Sequence, residues 1–167
     1  MDAPYTLYID RNIHRGEFAQ LASLARWGNP EDFTAERVAA HFEAMGFVAH
    51  VRNAEGLFVG YISANSNGLG SVSIDSLLTH PEYDGNAIGS LLLKAVLSHF
   101  PGQPVYAMPF VDEQEVFRKE GFKVYRREMI ALANRNDRPV EAPRIATSEA
   151  VPAFVRETSD STPETAP

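Results

Sequence analysis

The chain has 167 residues, a formal net charge of −7 and no cysteine. That length suits one domain with a sizeable core, and the missing thiols exclude disulfides, thiolate metal sites and a cysteine nucleophile. The acidic balance argues against nucleic acid as a partner, no apolar run is long enough for a membrane, and a negative surface favours a cationic small molecule.

In chain order, residues 5–10 alternate as a short first strand. Over 14–27, Phe18, Leu21, Ala22, Leu24 and Ala25 recur at helical spacing, and Gly28-Asn29-Pro30 supplies the stop. Thr34 is placed to cap a second helix bearing Val38, Phe42 and Met45 on one face, with Gly46 ending it. Three strands follow over 47–52, 57–65 and 71–79, divided by the turn sequences Asn53-Ala54-Glu55-Gly56 and Ser66-Asn67-Gly68. A helix ending near Phe100, a strand over 105–109, a short helix over 112–120 and a last strand over 122–133 complete the order βααβββαβαβ. The expected fold is α/β, a mixed sheet in which antiparallel strands lead into a parallel β-α-β crossover, with helices on both faces. The domain spans 1–133. From 134 to 167 the chain is rich in Pro, Ser, Thr and Glu and reads as a mostly disordered tail.

The stretch SVSIDSLLTHPEYDGNAIGSLLLKAVLSHF, residues 71–100, carries the chemistry. A strand turns directly into an apolar helix, whose first N–H groups lack intrahelical partners and sit at the positive end of the macrodipole. Gly85, Ala87 and Gly89 are small enough for a bulky anion to approach that backbone, which predicts a phosphate cradle.

Residues 79–92, THPEYDGNAIGSLL, resemble the acetyl-CoA-binding motif of the GNAT family of N-acetyltransferases, and residues 117–122, FRKEGF, resemble its later aromatic-then-Gly-Phe motif. The resemblance covers roughly 5–133. It implies acetyl-CoA as co-substrate, no metal, and an acceptor that is a small-molecule or protein amine, and it is compatible with a homodimer. It also implies that Leu77, Leu78 and Thr79 meet the pantetheine arm, with an amide at Leu78 or nearby polarising the thioester carbonyl. Asp84, Gly85, Asn86, Ala87, Ile88, Gly89 and Ser90 would hold the pyrophosphate, and Phe117 would line the channel near the sulfur.

Three positions depart from the family pattern: Asp84 stands where Arg or Gln is usual, Ala87 where Gly is usual, and Phe117 where many members have Tyr. A carboxylate beside a pyrophosphate is repulsive unless it caps the helix or turns to solvent. Phe117 has no proton for the leaving thiolate. A thiol of pKa near 8.5 can leave without one, and Tyr83, Tyr106 and Tyr125 are other donors to consider.

An amine arrives protonated and must lose that proton to attack. Asp75 is the candidate base, because strand alternation puts Ser73, Asp75 and Leu77 on one face; a bulge would reverse this. His14, His41, His50, His80 and His99 show no metal-ligand spacing. Trp27 is either a flat floor for an amine pocket or a core plug.

The expected function is direct acetyl transfer from acetyl-CoA to a primary amine by a cytoplasmic enzyme, with a small-molecule acceptor favoured. The alternative is a CoA-binding regulatory or interaction module with little catalysis.

Overall fold

The computed structural model describes residues 4–125. The expected tail, 134–167, lies outside them, as does most of the strand expected over 122–133. Within that last strand, residues 122–125 carry no regular secondary structure.

Strand β1 (Tyr5–Tyr8) leads to α1 (Arg15–Leu24), which begins where His14 Nδ1 accepts the Gly16 N–H at 3.1 Å. The helix ends before the glycine the sequence offered as a stop. Arg26 takes φ +62°, its N–H bonds Ser23 C=O, and the Trp27 N–H bonds Ala22 C=O. This Schellman closure satisfies the last carbonyls, at about 1–2 kcal/mol for a left-handed non-glycine residue. A 3-10 turn at Pro30–Asp32 precedes α2 (Ala35–Ala44), capped as expected by Thr34 Oγ1 on the Arg37 N–H at 3.4 Å.

Strands β2 (Phe47–Asn53), β3 (Phe58–Ser66) and β4 (Val72–Thr79) form an antiparallel meander. Next come α3 (Gly85–His99), β5 (Val105–Tyr106), a 3-10 turn at Val111–Glu113 and α4 (Gln114–Lys119). The sheet order is β1-β2-β3-β4-β5, antiparallel except for the parallel pair β4/β5, so the fold is mixed α/β as expected. Strand β5 is shorter than the expected 105–109 and pairs with β4 only at Val72 and Ser73.

Strand alternation divides the core in two. On one face Phe47, Ala49, Val51, Ile62, Ala64 and Val72 pack under Ile88, Leu92 and Val96 of α3. Gly60 allows this approach, since a Cβ there would lie 2.3 Å from Ile88 Cγ2. On the other face Phe58, Tyr61 and Leu78 meet Phe18 and Leu21 of α1 and Val38 and Phe42 of α2. Arg52 fixes α1 to the sheet through two hydrogen bonds to the Glu17 carboxylate, at 2.7 and 2.8 Å.

Candidate active site

Between β3 and β4 the register slips by one residue. Ser63 opposes Ser76, yet Ala64 opposes Ile74, so Asp75 is the extra residue of a β-bulge. The expected common face for Ser73, Asp75 and Leu77 is therefore corrected. Leu77 and Ile74 pack toward the α3 core, while the Asp75 carboxylate accepts Ser76 Oγ at 2.8 Å and Ser63 Oγ at 3.4 Å on the α1/α2 side. Asp75 is exposed there.

Past Ser73, β4 has no strand partner on its β5 side among the described residues, because β5 ends at Tyr106, and a wedge of unpaired β4 edge remains beyond it. The hydrogen-bond phase fixes which amides face it. His80 N–H bonds Val59 C=O, making Val59/His80 a hydrogen-bonded pair. Such pairs alternate along an antiparallel ladder, so the Leu78 N–H points at Tyr61 in β3, while those of Leu77 and Thr79 point into the wedge. The amide expected at Leu78 or nearby to meet a carbonyl thus faces β3 at Leu78 itself, and the amides open to the wedge are those of Leu77 and Thr79. Leu78 instead contributes a buried side chain beside Tyr61.

The wedge runs toward the N-terminus of α3. Asp84 is its N-cap, accepting the Ala87 N–H on Oδ1 at 3.0 Å, and the Ile88 N–H already bonds the Asp84 carbonyl. That leaves the amides of Gly85 and Asn86 as the first-turn donors for an anion. Gly85 lies close to the strand end, since a Cβ on it would sit 3.1 Å from Thr79 Oγ1.

The remaining predicted cradle residues make contacts within the fold. Ile88 is in the core against Gly60. Gly89 is small because α4 passes over it: a Cβ there would lie 2.9 Å from Val116 Cγ2. The hydroxyl of Ser90 donates to Glu120. Phe117 is 5 % exposed, with its ring edge-on to Phe122 at 5.4 Å, and so helps to join α4 to the core. Of the tyrosines considered as proton donors, Tyr83 Oη accepts from Asn53 Nδ2 at 3.2 Å, and Tyr106 lies edge-on to Tyr125. Trp27 is exposed and is no core plug.

The sequence model of the acetyltransferase (GNAT) family matches residues 16–129. The chain belongs to the GNAT family. No curated protein sequence matches it significantly. A GNAT-family acetyltransferase from Streptococcus pneumoniae aligns with TM-score 0.63 and 20% identity over 78% of this chain and 98% of that one. The glucosamine-6-phosphate N-acetyltransferase of Arabidopsis thaliana aligns with TM-score 0.56 and 14% identity over 80% and 99%. A GNAT-family acetyltransferase from Brucella melitensis, solved in complex with acetyl-CoA, aligns with TM-score 0.54 and 17% identity over 72% and 84%. At these identities the likeness is one of fold.

For a GNAT protein the donor set fits a thioester nucleotide. Leu77 and Thr79 offer amides along the wedge, and Gly85 and Asn86 offer two more where a diphosphate would end, with the Asp84 charge opposing it. No group of three or more His, Asp or Glu side chains among the described residues is arranged to hold a metal ion.

Two residues near Asp75 were passed over in the sequence. Tyr61 is fully buried, and its hydroxyl meets His41 Nε2 of α2 at 2.9 Å. Burial drives the Tyr61 phenol well above its ordinary range and pulls the half-buried His41 imidazole down, while the Asp75 charge pushes His41 back up. Neither residue has a sequence signal. A histidine on a helix and a tyrosine in a strand gain meaning only from the bulge that brings Asp75 to them.

Proposed function

We propose that this GNAT protein transfers an acetyl group from acetyl-CoA directly to a primary amine, a small cationic one in preference to a protein amine, in the cytoplasm. The reading rests on the edge of β4 that has no strand partner among the described residues, beside the α3 N-terminus, a row of backbone donors matched to a pantetheine arm and a diphosphate. The Leu77 amide would polarise the thioester carbonyl, where charge grows in the transition state and a preplaced donor counts most. Thr79 would pair with the pantetheine, and Gly85 and Asn86 would hold the diphosphate. Asp75, exposed on the α1/α2 side, would attract the ammonium group and take its proton. No covalent intermediate is invoked, so the amine would attack the bound thioester itself.

Asp84 and the buried Phe117 favour a second reading, a CoA-binding module with little catalysis. The two separate in one experiment. The full chain is titrated with acetyl-CoA by calorimetry, then incubated with acetyl-CoA and a panel of polyamines, aminosugars, arylalkylamines and lysine peptides while free thiol is followed. Thiol release with an acetylated amine supports the enzyme. Binding without release on any amine selects the module, and absence of binding overturns both.

A further inference from the structure

Asn53, the last residue of β2, is 7 % exposed, and both lone-pair positions and both N–H groups of its side-chain amide are engaged. Its Oδ1 accepts the Glu55 and Leu57 N–H groups, at 3.1 and 2.8 Å, inside the turn between β2 and β3. Those two backbone donors require an oxygen there, which fixes the orientation of the amide. Its Nδ2 then donates to Glu55 Oε2 at 2.6 Å and, 30 residues along the chain, to Tyr83 Oη at 3.2 Å. The turn uses the first three of these bonds and not the fourth.

Tyr83 immediately precedes Asp84, the N-cap of α3, in the loop that joins β4 to the helix. The backbone of that loop is tied to the sheet at its start, where the His80 N–H bonds Val59 C=O at 2.9 Å. The Tyr83 N–H turns back to His80 C=O at 3.1 Å and the Glu82 N–H to His80 Nδ1 at 3.3 Å, both within the loop. Among the described residues, the Tyr83 hydroxyl makes the only side-chain hydrogen bond from residues 80–83 to another element. We propose that Asn53 is a positioning residue for acetyl-CoA: by holding the Tyr83 hydroxyl it sets the loop, and with it the Gly85 and Asn86 amides at the diphosphate end of the cradle. The proposal rests on the acetyl-CoA site described under the proposed function, and it adds to that site a residue from a hairpin that supplies none of the amides.

Two amides grip an anion best when they converge before it arrives. A loop that is out of place for part of the time lowers the apparent affinity by that fraction. The Tyr83 ring packs against the α3 core and stands edge-on to His80 at 5.0 Å. Apolar packing of this kind is non-directional, whereas a hydrogen bond to a buried amide with no spare partner fixes direction as well as depth. Asparagine is the residue suited to the task. Aspartate would accept from the turn but has no N–H for Tyr83, and it would set a second carboxylate beside Glu55.

The structural alternative is that Asn53 serves the hairpin alone. Tyr83→Phe separates the two, since it removes one hydroxyl and leaves the ring and every bond of the turn. The usual net worth of a hydrogen bond corresponds to roughly a two- to tenfold change in an equilibrium constant. Calorimetry on the full chain should show acetyl-CoA binding weakened by that factor in Tyr83→Phe, with Tm within a few degrees of wild type. With an active amine, KM for acetyl-CoA should rise alike at unchanged kcat. Asn53→Ala and the double variant complete a cycle in which the affinity losses should not add, the double variant binding no more weakly than Asn53→Ala. Wild-type affinity in Tyr83→Phe, or additive losses in the cycle, overturns the positioning role and leaves the acetyl-CoA site standing. No binding by the wild type overturns the site and this role together. If Asn53→Ala fails to fold, Tyr83→Phe decides alone.

Discussion

Asp84 Oδ1 and the Ala87 amide are 3.0 Å apart, so the first turn of α3 already holds a carboxylate where an anion would arrive. The interaction stabilises the helix and opposes the diphosphate. Asn caps a helix as well as Asp does and carries no charge. Asp84→Asn should therefore leave Tm within a few degrees and tighten acetyl-CoA binding by about tenfold, the order expected for one partly solvated like-charge contact. The gain should shrink in high salt. Calorimetry at two ionic strengths reads it, and unchanged affinity at low salt would place the diphosphate elsewhere.

Gly89 lies against Val116 of α4. Overpacking typically costs about 1–3 kcal/mol, so Gly89→Ala should lower stability by that order, because the facing methyl belongs to a stiff β-branched side chain. Val116→Ala in the same chain should recover most of the loss, and acetyl-CoA affinity in the double variant should match wild type. Denaturant melts and calorimetry on the four proteins of the cycle measure both quantities. Additive losses would remove the contact as the reason for glycine, and weakened binding in the double variant would restore Gly89 to the anion site.

Much of the frame was legible in the chain because it depends on local chemistry. Thr34 capped α2, the apolar spacing of Phe18, Leu21 and Ala22 faced the core, and the two hairpins formed where Asn and Gly cluster. The site was less legible because its decisive features are set between elements. The Asp75 bulge exists only relative to β3, and the phase that turns Leu78 inward and Leu77 outward follows from that pairing. Gly89 looks like a phosphate glycine until α4 is laid across it. The end of α1 shows the same limit, since Arg26 took the left-handed position two residues before the glycine suited to it.

The register makes a residue-resolved prediction about solvent. In the protein without ligand, the amides of Leu77 and Thr79 should exchange with deuterium quickly and that of Leu78 slowly, since only the last has a carbonyl partner in β3. Acetyl-CoA should slow Leu77, Thr79, Gly85 and Asn86 together and leave Leu78 unaltered. Hydrogen exchange followed by NMR provides the measurement. Protection of Leu78 on ligand addition, with no change at Leu77, would return the polarising amide to the position first expected from the sequence.

Acid should weaken the fold well above the carboxylate range. His50 is buried between Tyr8, whose ring stacks on it at 5.0 Å, and Phe58. Its Nε2 meets Asp10 Oδ1 at 3.1 Å, and its Nδ1 has no partner among the described residues. Protonation would put a hydrogen on that isolated nitrogen, so burial holds the folded pKa below the ordinary value against the pull of Asp10. An unfolded chain, with His50 near pKa 6.5, then binds more protons than the folded one between the folded value and about pH 6.5, and stability rises with pH through that window. His41 shifts in the same direction and adds to the slope. Asp10 and Glu17 lie below their ordinary values, held down chiefly by the Asn12 amide and the Arg52 guanidinium, and withdraw their contributions only at lower pH. Thermal melts should therefore show Tm flat above about pH 7 and falling from about pH 6.5 downward. His50→Gln should flatten part of that fall, and His50→Gln combined with His41→Gln most of it. A wild-type Tm that stays level to pH 5 would mean that neither imidazole is held neutral by the fold.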